Sequence, residues 1–196
     1  MATNFNRGDI SVHVASTIED LIACQRIRSA CFMSGAEPEP YMEQFDGNDF
    51  SSATHLVASR KGVPVGSMRI RILNCGEAAE ATWEKLSVLP GERGSLAVLN
   101  ALAWGAVQYS ALKGVTTVWG LARDPRVMKF WKRTLNGVVT DDPPIRYEDR
   151  EYVHIRVDLR PYAETGPRVR LEEIEPDLFS RRMRAIAAQT EHRAVA

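Results

Sequence analysis

No stretch of this sequence holds the roughly 18 consecutive apolar residues that mark a membrane-spanning helix, so no span is expected. Neither sign of charge is in excess. Lys and Arg number 25, as do Asp and Glu, a balance that speaks against a dedicated nucleic-acid binder. Cysteine is scarce: Cys24, Cys31 and Cys75 are odd in number and lack the paired spacing of a zinc site, so no metal is expected. Met1 to Asp9 is polar and lacks the apolar core of a secretion signal, which makes a cytoplasmic location the expectation. What the chain does have, 44% hydrophobic and 26% charged residues, is enough to bury a core.

Hydrophobic periodicity gives the order of elements. Ile10, Val12 and Val14 alternate with polar neighbours as a half-buried strand, and Ser16 with Glu19 forms a capping-box pattern that opens a helix to about Met33. That helix places Cys24 and Cys31, seven apart, on one face as small core residues. Residues 34–52 are rich in Gly, Pro and acids and read as a long loop, a length usually reserved for function. Strands follow over Thr54 to Ser59 and Val63 to Leu73, with Met68, Ile70 and Ile72 facing one way and Arg69 and Arg71 the other. A strand from Ala81 to Leu89 ends at Pro90, and an apolar helix from Ser95 to Lys113 stops at Gly114. A strand from Val115 to Leu121, a short helix from Pro125 to Thr134 and a last strand from Tyr152 to Leu159 complete an α/β layout around one sheet. Residues 1–160 form the main domain; residues 161–196 are an extension with an amphipathic helix from Asp177 to Gln189, suited to a homodimer contact.

The chemistry points to Leu86 to Gly94. A strand ending in Pro loses a ladder donor, so its neighbour can splay away and leave backbone groups free. Arg93, Gly94 and Ser95 then present amides at a helix start, where a phosphate-rich group can rest.

Val88-x-Pro90-x-x-Arg93-Gly94 followed by a long apolar helix resembles the acyl-CoA-binding motif of the Gcn5-related N-acetyltransferase (GNAT) superfamily. Asp124-Pro-Arg-Val127-Met-Lys-Phe130-Trp131 is similar to that superfamily's later Asn-x-x-Ala-x-x-Leu-Tyr helix, and the element order matches from Ile10 to Leu159. The resemblance implies a central mixed, mostly antiparallel sheet flanked by helices. It also implies acyl transfer to an amine, with no metal. Two departures stand out. Leu96 and Val98 occupy the usual small positions, and Trp131 replaces the tyrosine that often reprotonates the thiolate. Arg28-x-x-x-Phe32, Glu43-x-Phe45-Asp46-x-x-Asp49, Val65-Gly66-x-x-Arg69 and Trp83-Glu84 further resemble the autoinducer-synthase-like branch, whose donors are acyl-CoA or acyl-carrier protein.

On that resemblance, Leu86, Val88, Arg93, Gly94, Ser95, Asp124 and Trp131 contact the donor, and the Val88 amide faces the carbonyl oxyanion. Glu84, four residues before Val88 and sharing by alternation the face of Leu86 and Val88, is the candidate base, with apolar neighbours to raise its pKa. Glu43, Asp46 and Asp49 would hold a cationic small-molecule acceptor, while Phe32 lies nearby and Arg28 and Arg69 pair with the acids or hold the loop closed. Arg123, Arg126 and Lys129 suit a nucleotide or an acidic carrier protein. A pocket blocked by Trp104 or Trp119 would favour an acetyl donor, an open tunnel a long chain. A catalytically inert binding module, or an autoinducer synthase taking S-adenosylmethionine as acceptor, fits the same motifs.

Overall fold

A computed structural model describes residues 9–34, 38, 45–74, 76, 78–93, 96–147, 149–163 and 165–166. Glu43, Gly94, Ser95, Cys75 and the Asp177–Gln189 helix lie outside these. The described elements are β1 (Ile10–Val14), α1 (Ile18–Arg28) running into a π-helical turn (Ser29–Met33), α2 (Asn48–Ser51), β2 (Thr54–Arg60), β3 (Val63–Ile72) and β4 (Ala79–Val88). After a 3₁₀ turn (Pro90–Glu92) come α3 (Ala97–Leu112), β5 (Val115–Ala122), α4 (Pro125–Leu135), β6 (Val138–Val139), β7 (Ile145–Tyr147) and β8 (Arg150–Asp158).

The strands lie in the order β1-β2-β3-β4-β5-β8-β6, with β7 beside β8. Every pairing is antiparallel except β4 with β5. The mixed, mostly antiparallel sheet expected from the sequence is the one observed. Its α3 face is the apolar core. Met68, Ile70, Ala81, Trp83 and Val118 pack there with Val98, Leu102, Ala106 and Val107 of α3, all buried. Its other face carries α1, which packs over β2, β3 and β4. The β2–β3 hairpin turns on Lys61 and Gly62, both at positive φ, as a two-residue loop demands.

Two local readings need correction. The helix cap is Thr17 with Asp20, not Ser16 with Glu19: Thr17 Oγ1 accepts from the Asp20 amide, and Asp20 accepts in return from the Thr17 amide. Asp20 also takes the Ser16 amide and His13 Nε2 at 3.0 Å each. The π turn is the second. It inserts an extra residue per turn, so Cys31 does not repeat the core position of Cys24 but rotates to the end of β4, half-buried.

Helix and sheet approach closely at Gly66, where a Cβ would lie 2.7 Å from Val98 Cγ1 and 3.0 Å from Leu102 Cδ1. Gly66→Ala should therefore lower stability by about 1–3 kcal/mol through overpacking, read as a lower urea midpoint at constant m value. The last described residues are also packed: Leu159 is fully buried, and the Tyr162 ring meets Trp104 at 5.9 Å.

Candidate active site

Pairing between β4 and β5 begins at Ala79–Val115 and stops at Thr82–Trp119. Beyond that row the parallel strands part, and Trp83 to Val88 keep β3 as a neighbour on one side only. The Leu89 amide donates to Val65 O at 3.0 Å, so Ser87 and Leu89 aim their backbone groups at β3. Alternation then turns the Val88 amide and carbonyl toward the gap. Arg93 Nε donates to that carbonyl at 2.8 Å and Cys31 Sγ at 3.2 Å. The open strand edge and the arginine expected at a phosphate site are thus neighbours. Burial, with Arg93 opposing it, pushes the Cys31 thiol upward.

A bulge reorders the side chains of β4. Arg69 pairs with Glu84 and Ser67 with Ser87, so three steps on β4 match two on β3, and Lys85 takes up the extra residue at φ 53°. Glu84 consequently shares a face with Ser87, not with Leu86 and Val88. The expectation that it faces apolar neighbours is overturned, because strict alternation fails across a bulge. Leu86 and Val88 instead pack toward the α3 core, and Glu84 points to the α1 face.

There it meets a cluster of buried charges. Arg69, 1% exposed, donates from Nε to Glu84 Oε2 at 2.8 Å, with Nη2 on the same oxygen. It also grips both oxygens of Asp46 at 2.7 and 2.8 Å and reaches Asp49 Oδ1 at 3.0 Å. Arg28, fully buried, donates to the same Asp49 oxygen at 2.7 Å and to His55 Nδ1 at 2.8 Å. His55 Nε2 completes the ring by donating to the Asp49 backbone carbonyl at 3.0 Å. Both nitrogens of a neutral imidazole are thereby used, and burial pushes this histidine's pKa down. His55 is structural, with both ring nitrogens taken up by Arg28 and the Asp49 carbonyl.

Burial alone would weaken the Arg69 charge, yet its bonds to Asp46, Glu84 and Asp49 raise its pKa instead. Glu84 Oε1 accepts from Thr82 Oγ1 at 2.5 Å and stands 3.5 Å from Arg71 Nη1. Lys85, at the bulge, has its pKa lowered by burial and then by Arg69. Of the sequence-predicted set, Arg28, Asp46, Asp49, Arg69 and Glu84 therefore converge, and α2 is pinned to the sheet through them. Phe32 is half-buried in the π turn beside Cys31.

Asp124 and Trp131 serve α4. Asp124 caps it by accepting the Arg126 amide at 2.8 Å, and hydrogen bonds from the Arg126 side chain hold its carboxyl below the usual range. Trp131 is 8% exposed, with its ring 5.5 Å from Trp83 and 5.0 Å from Phe130. These rings back the gap on the α3 face. Trp104 lies against Tyr162, and Trp119 donates to Glu80 Oε1 at 3.3 Å on the other face. Arg126 and Lys129 are exposed on α4, and Arg150 Nη2, at the start of β8, donates to Pro38 O at 2.7 Å. A hollow of about 950 Å³ between α1, α2 and the start of β3 touches the predicted site only through Asp46 and Asp49. Cys31, Thr82 and Arg71 were missed in sequence. Only Arg71, alternating with Arg69, carried any signal there.

The antiparallel sheet, the single parallel β4–β5 pair, the gap beyond it and the bulge in β4 define the GNAT fold. Solved structures share it across most of the chain. An acyl-CoA N-acyltransferase from Pseudomonas aeruginosa aligns over 76% of this chain and 98% of its own, with TM-score 0.61 and 18% identity. An N-acyl amino acid synthase from uncultured soil microbes covers 80% and 93%, with TM-score 0.61 and 10% identity. The AHL synthase LasI covers 81% and 96%, with TM-score 0.57 and 15% identity, so the autoinducer-synthase branch has the fold too. No family model matches the sequence, and no curated protein matches it. Among the described residues no helix is long and apolar enough to cross a membrane, and no group of three His, Cys, Asp or Glu is placed to hold a metal.

Proposed function

We propose that this protein is an N-acyltransferase that moves an acyl group from acyl-CoA or acyl-carrier protein to the amine of a small molecule. The observation that carries the reading is the unpaired edge of β4, with the Val88 backbone turned into the gap and Arg93 beside it. An extended pantetheine arm can add to that edge as a strand would, through main-chain hydrogen bonds. Its phosphates then fall at Arg93, before the start of α3, and its thioester reaches along β4 toward the bulge. The Val88 amide is our candidate oxyanion donor. Glu84, which borders the gap on the α1 face, is the candidate base. Asp46 and Asp49 act on the acceptor side mainly by tying the loop to Arg28 and Arg69. Arg126 and Lys129 are the exposed cations available to an acidic carrier protein.

Trp131 favours a second outcome, a donor-binding module without turnover, because an indole offers no titrating proton to the leaving thiolate. One pair of measurements separates the two. Calorimetry should show acetyl-CoA or octanoyl-CoA binding to the wild-type chain and binding weakened about tenfold or more in Arg93→Ala, the loss of a charge-assisted contact. Thiol release with an amine panel then reports turnover. Equal donor affinity in the variant would remove Arg93 from the donor site; binding without thiol release would favour the inert module.

A further inference from the structure

We propose that the C-terminal extension folds back on its own chain, its segment Asp177 to Gln189 crossing the outer side of α3 as a helix at Gly105.

Helix α3 (Ala97–Leu112) carries no charged residue on any side. A helix lying on a sheet normally keeps a polar outer stripe, and one that is apolar all round is buried. Ser110, Val98 and Leu102 mark its sheet side: Trp83 Nε1 of β4 donates to Ser110 Oγ at 3.1 Å, and Gly66 of β3 lies against Val98 and Leu102. At about 3.6 residues per turn the opposite stripe is Ala97, Ala101, Trp104, Gly105, Gln108 and Leu112. The strands that α3 packs on, β1 to β5, all belong to the sheet side.

Burial along the outer stripe is uneven. Trp104 and Gly105 are buried, Ala101 and Gln108 are half-buried, and Leu112 at the end is 71% exposed. A cover therefore lies across the middle of α3 and leaves its end open. Tyr162 and Gly166 form part of it. The Tyr162 ring stands 5.9 Å from that of Trp104, and a Cβ on Gly166 would lie 3.0 Å from Trp104 Cζ3. Gly105 lies about 100° further round the helix. A glycine in mid-helix weakens the helix, but it lets a neighbour approach the backbone closely.

The chain itself has the segment to fill this place. Gly166, the last described residue, already stands on the outer face of α3. Residues 167–176 reach up to about 33 Å when extended, ample to return to Gly105. From Asp177 onward, Phe179, Met183 and Ile186 recur at steps of four and three as one apolar stripe, with Arg181 and Arg184 on the opposite side. A helix from Asp177 to Gln189 is about 20 Å long and α3 about 24 Å. Packed at an angle, as helix pairs are, it covers the middle of α3 and not Leu112. A second copy of the chain would have to compete for this face with an extension that starts on it.

The test is trypsin digestion of the full native chain, read by mass spectrometry at Arg181, Arg182 and Arg184, with light scattering to give the oligomeric state. Cleavage there should be slow in wild type and about tenfold or more faster in Met183→Asp and in Ala101→Glu, because burial of one apolar side chain is lost and the open form is what the protease cuts. The Ala101 variant tests the contact from the other side. Glutamate is a good helix former, so on a water-facing stripe Ala101→Glu would leave the extension unaffected. Slow cleavage at Arg60 and Arg69, inside the sheet, shows that a variant is still folded; should Ala101→Glu fail this check, Met183→Asp decides. Gly105→Ala then tests the sign: on an open helix face it raises the urea midpoint, whereas beneath a crossing helix it should lower it. Rapid cleavage of the wild-type extension, cleavage unchanged in a folded Ala101→Glu or Met183→Asp, or a raised midpoint in Gly105→Ala would overturn the proposal. Protection that vanishes when a dimer is diluted to monomer would overturn it too, and would give the face to a second copy.

Discussion

Replacing Arg69 by Met should lower the stability of this protein by about 3–5 kcal/mol, the usual result of removing one partner from a buried ion cluster. The side chain is 1% exposed and donates to three carboxylates, Asp46, Asp49 and Glu84. Without it those charges face one another on a covered face, with Arg28 able to reach only Asp49. Domains of this kind are stable by about 5–15 kcal/mol in total, so the loss is large. Urea unfolding followed by tryptophan fluorescence measures it; a change under about 1 kcal/mol would mean that the cluster contributes little. The same cluster sets the acid limb. Hydrogen bonding from Arg69 holds the Asp46 carboxyl well below its ordinary range. Its folded pKa lies below the unfolded value of about 3.9, so its contribution is full above that pH and is lost as pH falls through the folded value. Arg69→Met should flatten this part of the stability–pH curve.

Glu84→Gln should slow acyl transfer by about 10²–10⁴-fold, the range for removing a general base, with donor affinity changed little. Glutamine keeps the shape and one carbonyl acceptor but cannot take the amine's proton. Since Arg69 also depends on Glu84, far-UV circular dichroism and the acyl-CoA binding isotherm must first show a folded donor site. The pH–rate profile then decides. A rate that loses its acidic limb in the variant fits a base; an unchanged profile would leave Glu84 a purely structural partner of Arg69, with Lys85 the next group at the bulge to examine.

The long-period features were legible in the residues. The α/β order, the opposed faces of β3 and the end of β4 at Pro90 follow from hydrophobic periodicity, because each depends on neighbours within a few positions. Arg28, Asp46, Asp49 and Arg69 were grouped on the resemblance, and the structure does bring them together. The face of Glu84 was misread for an equally plain reason. One residue, Lys85, adopts positive φ with no glycine to announce it, and every alternation beyond it is reversed. Cys31 was misread because a π turn shifts the helical phase by one residue. Such insertions are decided by what packs on the other side of the chain.

By itself, then, the sequence determined the class of fold and the turn after β4, since both rest on local hydrogen bonding and on which residues avoid water. The tertiary structure alone decided where β4 parts from β5 and which way Glu84 and Val88 face. Those are relations between strands far apart in sequence, set by register, and no single segment carries register within itself.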